Sequence, residues 1–199
     1  LNLEASPRHT PRFGLRRHYQ QAPWSDYVEV YWTDDAEAYV TPVADTLIGV
    51  AVLFNGEPLP PGKGTEQRYH QLLQKFPSLL ERLETPCTTV RGSGPFERRL
   101  SKRREGRVLL IGDAAGYLDP ITGEGIRLGL ATGRAAIDCI QSGRPDRYDK
   151  DWYAATRTYW WLTEGLLQLR SRSVTRNLMI PFLRTVPGSF SRIVSVLAA

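Results

Sequence analysis

The stretch that decides the fold is RVLLIGDAAGYLDPITGEGIRLGLA, residues 107–131. Its apolar residues 108–111 predict a short buried strand in a parallel sheet. Gly112 and Asp113 end this run, and a glycine-rich loop then leads into a helical pattern. A carboxylate can accept hydrogen bonds from hydroxyl groups, and the amides at a helix N-terminus attract negatively charged groups. The segment therefore predicts a site for a polar ligand at the carboxyl end of a strand.

The same segment resembles the second flavin-contacting motif of FAD-dependent monooxygenases of the p-hydroxybenzoate hydroxylase type. It is more similar still to the geranylgeranyl-reductase-like branch, in which Gly-Asp-Ala-Ala-Gly is followed by proline, a one-residue gap and Thr-Gly-Glu-Gly-Ile. Residues 112–116 and 120–126 match these motifs. The resemblance implies that Asp113 binds the ribityl chain of FAD and that the later residues line the flavin ring. The cofactor-binding residues implied in this way are Gly112, Asp113, Pro120, Thr122, Gly123, Glu124, Gly125 and Ile126.

The chain has no G-x-G-x-x-G turn, the motif that holds the ADP half of FAD in such enzymes. The resemblance therefore implies the C-terminal part of a longer enzyme. The expected fold class is α/β, with the C-terminal part of a Rossmann-like FAD-binding domain, an antiparallel-sheet substrate domain and C-terminal helices. We predict the substrate domain over residues 1–95, the strand–loop–helix of the FAD-binding domain over 96–145, and the C-terminal helices over 146–199.

Four runs of strand-forming residues precede the motif, at 13–19, 27–32, 38–41 and 46–54. Short turns between them predict an antiparallel meander, in a sheet separate from the strand at residue 108. Further on, the pattern predicts a helix over 65–75, a short helix that Ser78 N-caps and that ends at Leu83, and a brief strand over 88–90. The resemblance implies that the antiparallel sheet covers a substrate cavity above the flavin.

Residues 37–42 occupy the position at which geranylgeranyl-reductase-like proteins carry a substrate-facing segment. Only the proline of that segment is retained, which counts against a prenyl-lipid substrate. Tyr39 and Glu37 are the catalytic candidates on the substrate side. Two activities on an apolar or aromatic small molecule remain open: hydroxylation with NAD(P)H as transient electron donor, or reduction of a carbon–carbon double bond. The alternative is a truncated, inactive fragment or a binding module that does not hold FAD by itself.

The charge, cysteine and histidine content of the chain indicates which other partners and sites to expect. A net charge of +5, from 26 basic and 21 acidic residues, is modest and spread out, so nucleic acid is not an expected partner. Six basic residues between 98 and 107 predict a solvated loop, with a landing patch for NAD(P)H phosphates as the alternative. Cys87 and Cys139 are interpreted as reduced core thiols of a cytoplasmic protein. Three scattered histidines form no metal-binding pattern.

Helical patterns occupy the C-terminal third. A helix over 123–142 is predicted to carry Ile126, Leu130 and Ile137 on or near one apolar stripe and to end at Gly143 and Pro145. Ala131, Ala135 and Ala136 would permit close packing of this helix against the sheet. A second, over 149–169, carries a tryptophan and tyrosine cluster interpreted as core packing. Residues 174–199 alternate arginines with apolar residues. Helix pairing is the expected role of this tail, and peripheral membrane contact is the alternative. No apolar run reaches the ~18–20 residues that span a bilayer.

Overall fold

The computed structural model describes residues 3–57 and 64–171. Contacts divide the described residues into two compact units, one within residues 8–96 and one that joins the described residues before 8 to those from 97 onward. The elements in chain order are β1 (Glu4–Ala5), β2 (Arg12–Gln20), β3 (Glu29–Trp32), β4 (Ala36–Ala44), β5 (Leu47–Asn55), α1 (Thr65–Leu73), α2 (Pro77–Leu80), β6 (Arg91–Ser93), β7 (Arg99–Leu100), β8 (Arg104–Glu105), β9 (Val108–Leu109), α3 (Gly125–Gln141) and α4 (Tyr148–Ser171).

The unit of residues 8–96 is built on an antiparallel sheet. Its strand order, within the described residues, is β3-β4-β5-β2-β6. The antiparallel pairing was predicted, but the simple meander was wrong, because β2 lies beside β5 over its whole length rather than beside β3. Phe13 pairs with Phe54 and Tyr19 with Ile48, and all four side chains are buried. Such long-range pairing follows from the burial of both apolar strands, which a count of turns does not capture.

Helices α1 and α2 pack on one face of this sheet. Tyr69 is buried against it and donates a hydrogen bond from its hydroxyl to the Val50 carbonyl, at 3.1 Å. The predicted N-cap at Ser78 was wrong. Phe76 is the N-cap residue, without a side-chain cap bond, and Pro77 occupies the first turn. Proline suits this position because it has no N–H group to satisfy there. The predicted strand over 88–90 lies instead at β6.

The strand predicted at residues 108–111 differs from the expectation of a buried parallel strand. It is the two-residue β9, which pairs antiparallel with β8 across a tight turn. Gly106, with φ of +57°, supplies the left-handed conformation that this turn needs. Val108 and Ile111 are exposed. Within the described residues, β8 is the strand that pairs with β9, and an isolated hairpin cannot bury both faces of an apolar strand.

Helix α3 begins two residues later than predicted and buries the face opposite its apolar stripe of Ile126, Leu130 and Ile137. Ala136, one of the three alanines predicted to permit close packing, is buried. Gly123, with φ of +70°, ends a 3₁₀ turn over Pro120–Thr122, so the α-helix starts at Gly125. Ile126, Leu130 and Ile137 are exposed, the first two at 84% and 73%. The buried residues of α3 are Leu128, Thr132, Ala136 and Cys139. Both stripes are apolar in sequence, so periodicity alone does not distinguish them.

The end of α3 follows the prediction. Gly143 adopts φ of +66°. Its N–H donates to the Ile140 carbonyl, and the N–H of Arg144 donates to the Cys139 carbonyl. These two bonds form the glycine-terminated C-cap known as the Schellman motif. A short 3₁₀ turn over Pro145–Arg147 then leads directly into α4.

Helix α4 packs part of its aromatic cluster against α3 and the loop before it, as the sequence predicted, whereas Tyr153 and Trp161 of that cluster are exposed. Tyr148, Trp152 and Tyr159 are buried, and the rings of Trp152 and Trp160 lie 6.2 Å apart between centroids. The membrane-touching alternative for residues 174–199 lies outside the described residues. In the described part of the chain, no helix is both long enough and apolar enough to cross a bilayer.

Candidate functional site

The candidate site is the loop of residues 112–124, which connects β9 to α3. It contains two 3₁₀ turns, Gly112–Ala115 and Pro120–Thr122. Asp113 lies in the first turn with its side chain exposed. Within residues 3–57 and 64–171, the Asp113 carboxylate accepts no hydrogen bond. A Cβ atom added at Gly125 would lie 3.8 Å from Asp113 Oδ1. The carboxylate therefore lies beside the first turn of α3, available to a ligand.

Two contacts with α3 fix the start of the loop. The N–H of Gly112 donates to Thr132 Oγ1 at 2.9 Å, and the Thr132 hydroxyl donates in turn to the Leu128 carbonyl at 2.7 Å. Gly112 has φ of +55°, and a Cβ there would lie 3.4 Å from the Cα of Gly129. A side chain at residue 112 would therefore be strained in conformation and crowded against the helix.

Two tyrosines of α4 bond to the backbone, one just before the loop and the other within it. The Tyr148 hydroxyl donates to the Leu110 carbonyl at 2.6 Å. The Tyr159 hydroxyl accepts the N–H groups of Leu118 and Asp119 and donates to the Asp119 carbonyl, each at 3.2 Å. Burial raises the pKa of both tyrosines to about 12. Both hydroxyls therefore keep their protons at neutral pH and remain available as donors.

The second 3₁₀ turn is capped at both ends. Asp119 is buried, and its Oδ1 accepts the N–H of Ile121 at 3.1 Å. Gly123 closes the turn with left-handed geometry, and nothing lies within 4 Å of the position a Cβ would take there. Thr122 Oγ1 is buried and has no hydrogen-bond partner among the described residues. The turn thus combines open space at Gly123 with a neighbouring residue whose hydroxyl has no described partner.

The N-terminus of α3 has no side-chain cap, because its N-cap residue, Glu124, turns its carboxylate elsewhere. Glu124 is buried and forms an ion pair with Arg127 three residues later. Its Oε1 accepts no hydrogen bond from the part of the chain that the structure describes. The first amides of a helix have no partner within the helix, so they are available to an acceptor or an anion.

Arginine 103 holds the middle of the loop. Its Nε donates to the Ala115 carbonyl at 3.2 Å, and its guanidinium lies 3.8 Å from the centre of the Trp152 ring. The Arg103 backbone N–H also donates to Asp149 Oδ1 at 2.9 Å. Gly116 packs on the same cluster, since a Cβ there would lie 3.3 Å from the Trp152 ring and 3.4 Å from the Trp160 ring. The loop therefore packs on α4 in two ways. Its Ala115 carbonyl is held by Arg103, which stacks on Trp152, and its Gly116 lies against the Trp152 and Trp160 rings.

The basic run at 98–107 is mostly exposed, as predicted, but it contains the two short strands β7 and β8 as well as loop residues. Five of its six cations form ion pairs with carboxylates, and these five are Arg98, Arg99, Lys102, Arg103 and Arg104. Arg107 forms none with the described residues. The cations hold the chain around the loop together, and the phosphate-landing hypothesis stays a prediction.

The two catalytic candidates lie in the other unit, on β4. Glu37 is fully buried, and its Oε2 accepts hydrogen bonds from Arg12 at 2.9 Å and from the Tyr39 hydroxyl at 3.2 Å. The Glu37 carboxylate is thus held by an arginine and a phenol in the same sheet. A catalytic role for Glu37 and Tyr39 stays a prediction.

The predicted cofactor residues lie in the loop of residues 112–124 and the first two positions of α3, with Asp113 beside Gly125. Ile126 is 84% exposed, on the outer face of α3. Sequence reasoning missed Arg103, Thr132, Tyr148 and Tyr159, which hold the loop. The tyrosines recur at helical spacing among tryptophans, and this pattern was interpreted as packing alone. The interpretation of both cysteines as core residues was half right, because Cys139 is buried and Cys87 is exposed.

No family model matches the chain. It is 38% identical over 81 residues to digeranylgeranylglycerophospholipid reductase 2 of Methanothermobacter thermautotrophicus, covering 36% of this chain and 20% of the relative. It is 48% identical over 44 residues to menaquinone reductase of Mycolicibacterium smegmatis, covering 22% and 11%. The match thus spans a fifth or less of either curated relative.

The fold is similar to that of a solved myxobacterial enzyme, the chondrochloren halogenase CndH, described as a variant of FAD-dependent halogenases. The TM-score is 0.68 at 17% identity, over 89% of this chain and 48% of the other. At this identity the likeness concerns the fold alone. Local identity to two named reductases and a fold similar to that of a flavin-dependent halogenase support the resemblance to FAD-dependent oxidoreductases that the sequence carries.

Proposed function

We propose that the chain binds FAD through the loop of residues 112–124 and that it is part of a reductase acting on an apolar or aromatic small molecule. The exposed, unbonded carboxylate of Asp113 beside the first turn of α3 is the observation that carries this proposal. A ribityl chain offers hydroxyl donors, which a carboxylate accepts in strong charge-assisted hydrogen bonds. Bound flavin would supply the two-electron redox chemistry, and the protein would orient it and exclude water.

The residues around Asp113 support the fit of a flavin. Gly123 leaves open space where any other residue would carry a side chain, and Thr122 Oγ1 is a buried hydroxyl for which the described residues supply no hydrogen-bond partner. The uncapped first turn of α3 supplies amide donors, which suit the electron-rich N1 and O2 edge of a flavin ring. Together these groups offer a carboxylate acceptor and amide donors, as a sugar-alcohol chain and a ring carbonyl require.

The reductase assignment is supported by the two curated relatives, both of which are named reductases. The rival activity is an NAD(P)H-dependent monooxygenase. The two differ in their use of oxygen. With NAD(P)H-reduced holoprotein under anaerobic conditions, a reductase returns to the oxidised flavin spectrum when an apolar substrate with a carbon–carbon double bond is added. A monooxygenase returns to that spectrum only when O₂ is admitted.

The binding step is tested by titrating FAD into the purified chain and following quenching of flavin fluorescence. Asp113→Ala should weaken FAD binding by about 10- to 150-fold, because a hydrogen bond to a charged acceptor contributes roughly 1.5–3 kcal/mol. Asp138→Ala is the matched control, since Asp138 is an exposed carboxylate on α3 that pairs with Arg134. Its Kd should match that of the wild type.

Equal Kd values for Asp113→Ala and the wild type would contradict the assignment of Asp113. A wild-type chain that binds no FAD would contradict the proposal for this chain, and would favour the alternative of a fragment or binding module. An N-terminally extended version, titrated in parallel, separates these cases. Binding by the extended version alone would support the fragment.

A further inference from the structure

Tyrosine 159 makes more hydrogen bonds to the candidate site than packing requires. Its ring is buried on α4 and lies edge-on to Trp160, at 6.0 Å between centroids. Its hydroxyl accepts two backbone N–H groups, those of Leu118 and Asp119, and donates to the Asp119 carbonyl. One donor and two acceptor positions are all that a phenol offers, so every one of them is used on two consecutive loop residues.

These two residues set the position of everything that follows in the loop. Asp119 is the N-cap of the 3₁₀ turn Pro120–Thr122, through the bond from the Ile121 N–H to its carboxylate. That turn ends at Gly123, which precedes the N-cap of α3. The Leu118–Asp119 backbone, which the Tyr159 hydroxyl holds, therefore fixes the position of Thr122 and of the open space at Gly123.

We infer that Tyr159 is a positioning residue for the cofactor loop, holding the Leu118–Asp119 backbone so that residues 120–123 stand ready to receive the flavin ring. Nothing in the sequence pattern distinguishes it from the neighbouring packing aromatics. The inference rests on the proposed function, because it assigns the flavin ring to residues 120–123. Beyond that function, the affinity for FAD would depend on the Tyr159 hydroxyl, which need not touch the cofactor.

The test is Tyr159→Phe, which removes one oxygen and leaves the ring in place. Loss of the three bonds should release the loop and weaken FAD binding about tenfold, because apparent Kd rises in proportion as the competent fraction falls. Hydrogen exchange at the Leu118 and Asp119 amides of the FAD-free protein should accelerate by a similar factor. Tyr69→Phe is the matched control, since Tyr69 is an equally buried tyrosine bonded to a backbone carbonyl in the other unit.

A purely structural tyrosine would lower the thermal midpoint in both variants and leave the Kd for FAD unchanged in both. The inference requires that Tyr159→Phe alone raises the Kd and alone speeds exchange at Leu118 and Asp119. It also requires that saturating FAD slow exchange at these two amides in the wild type, a measurement that needs no variant. Failure of either requirement, with FAD bound by the wild type, overturns the inference and leaves the proposed function standing. Absence of FAD binding by the wild type overturns both.

Discussion

The bond between Gly112 and Thr132 predicts a specific loss of stability. Thr132→Val keeps the shape of the side chain but removes the oxygen that accepts the Gly112 N–H at 2.9 Å. Thr132 is 1% exposed, so water does not replace that oxygen readily. An N–H group left without a partner costs about 1–3 kcal/mol. At roughly 2–4 °C per kcal/mol for a chain of this size, the thermal midpoint should fall by about 2–12 °C.

Helix α4 contains a matched control for this substitution. Thr156 is also buried, and its hydroxyl donates to the Trp152 carbonyl four residues earlier, as that of Thr132 does to Leu128. No N–H group among the described residues depends on Thr156 Oγ1. Thr156→Val should therefore cost clearly less free energy of unfolding, measured by urea denaturation with an unchanged m-value. Equal losses in the two variants would refute the claim that Thr132 Oγ1 fixes the start of the loop by accepting the Gly112 N–H.

Three further outcomes follow from the structure. Leu128→Ala should destabilise the protein by about 2–5 kcal/mol, whereas Leu130→Ala should stay within about 0.5 kcal/mol, because Leu128 is buried and Leu130 exposed; urea denaturation would contradict the observed face of α3 if the order were reversed. The hydrogen bond from Trp24 lowers the pKa of Glu29, so its stabilising effect is present above the unfolded pKa of ~4.3 and is lost as the pH falls through the lower folded pKa. Trp24→Phe should raise that pKa in an NMR titration, and an unmoved titration would contradict the assignment. Burial and the neighbouring Asp151 raise the pKa of the Cys139 thiol, so a thiol reagent should modify exposed Cys87 well before Cys139, and equal rates would contradict the burial of Cys139.

The local sequence pattern was sufficient to predict those elements whose residues all favour the same secondary structure. The strands of the antiparallel sheet are rich in β-branched and aromatic residues, and Gly143 marks the end of α3 by a conformation that other residues avoid. Periodicity was insufficient for α3, where Leu128 and Leu130 lie on different faces of an apolar helix. Which face of α3 is buried depends on its contacts with residues of α4, such as Tyr148, and these contacts form only when the chain folds.

The candidate site divides in the same way. Asp113 and the glycines could be identified from the motif, because their role depends on the local backbone. Tyr159 and Arg103 could not, since their role depends on which carbonyl and amide groups the folded chain brings to them. Likewise, Glu37 appears in sequence as a free acid, whereas the pairing of β2 with β5 and of β5 with β4 brings Arg12 to its carboxylate.

The central claim is that Asp113 binds the ribityl chain of FAD, and a ligand comparison tests it most directly. Riboflavin and lumiflavin share the flavin ring, but lumiflavin has no ribityl hydroxyls. Their Kd values should be measured for the wild type and for Asp113→Ala, in whichever version of the chain holds FAD. The account predicts that Asp113→Ala weakens riboflavin binding about 10- to 150-fold and leaves lumiflavin binding unchanged. An equal loss for both ligands, or a loss for neither, would contradict it.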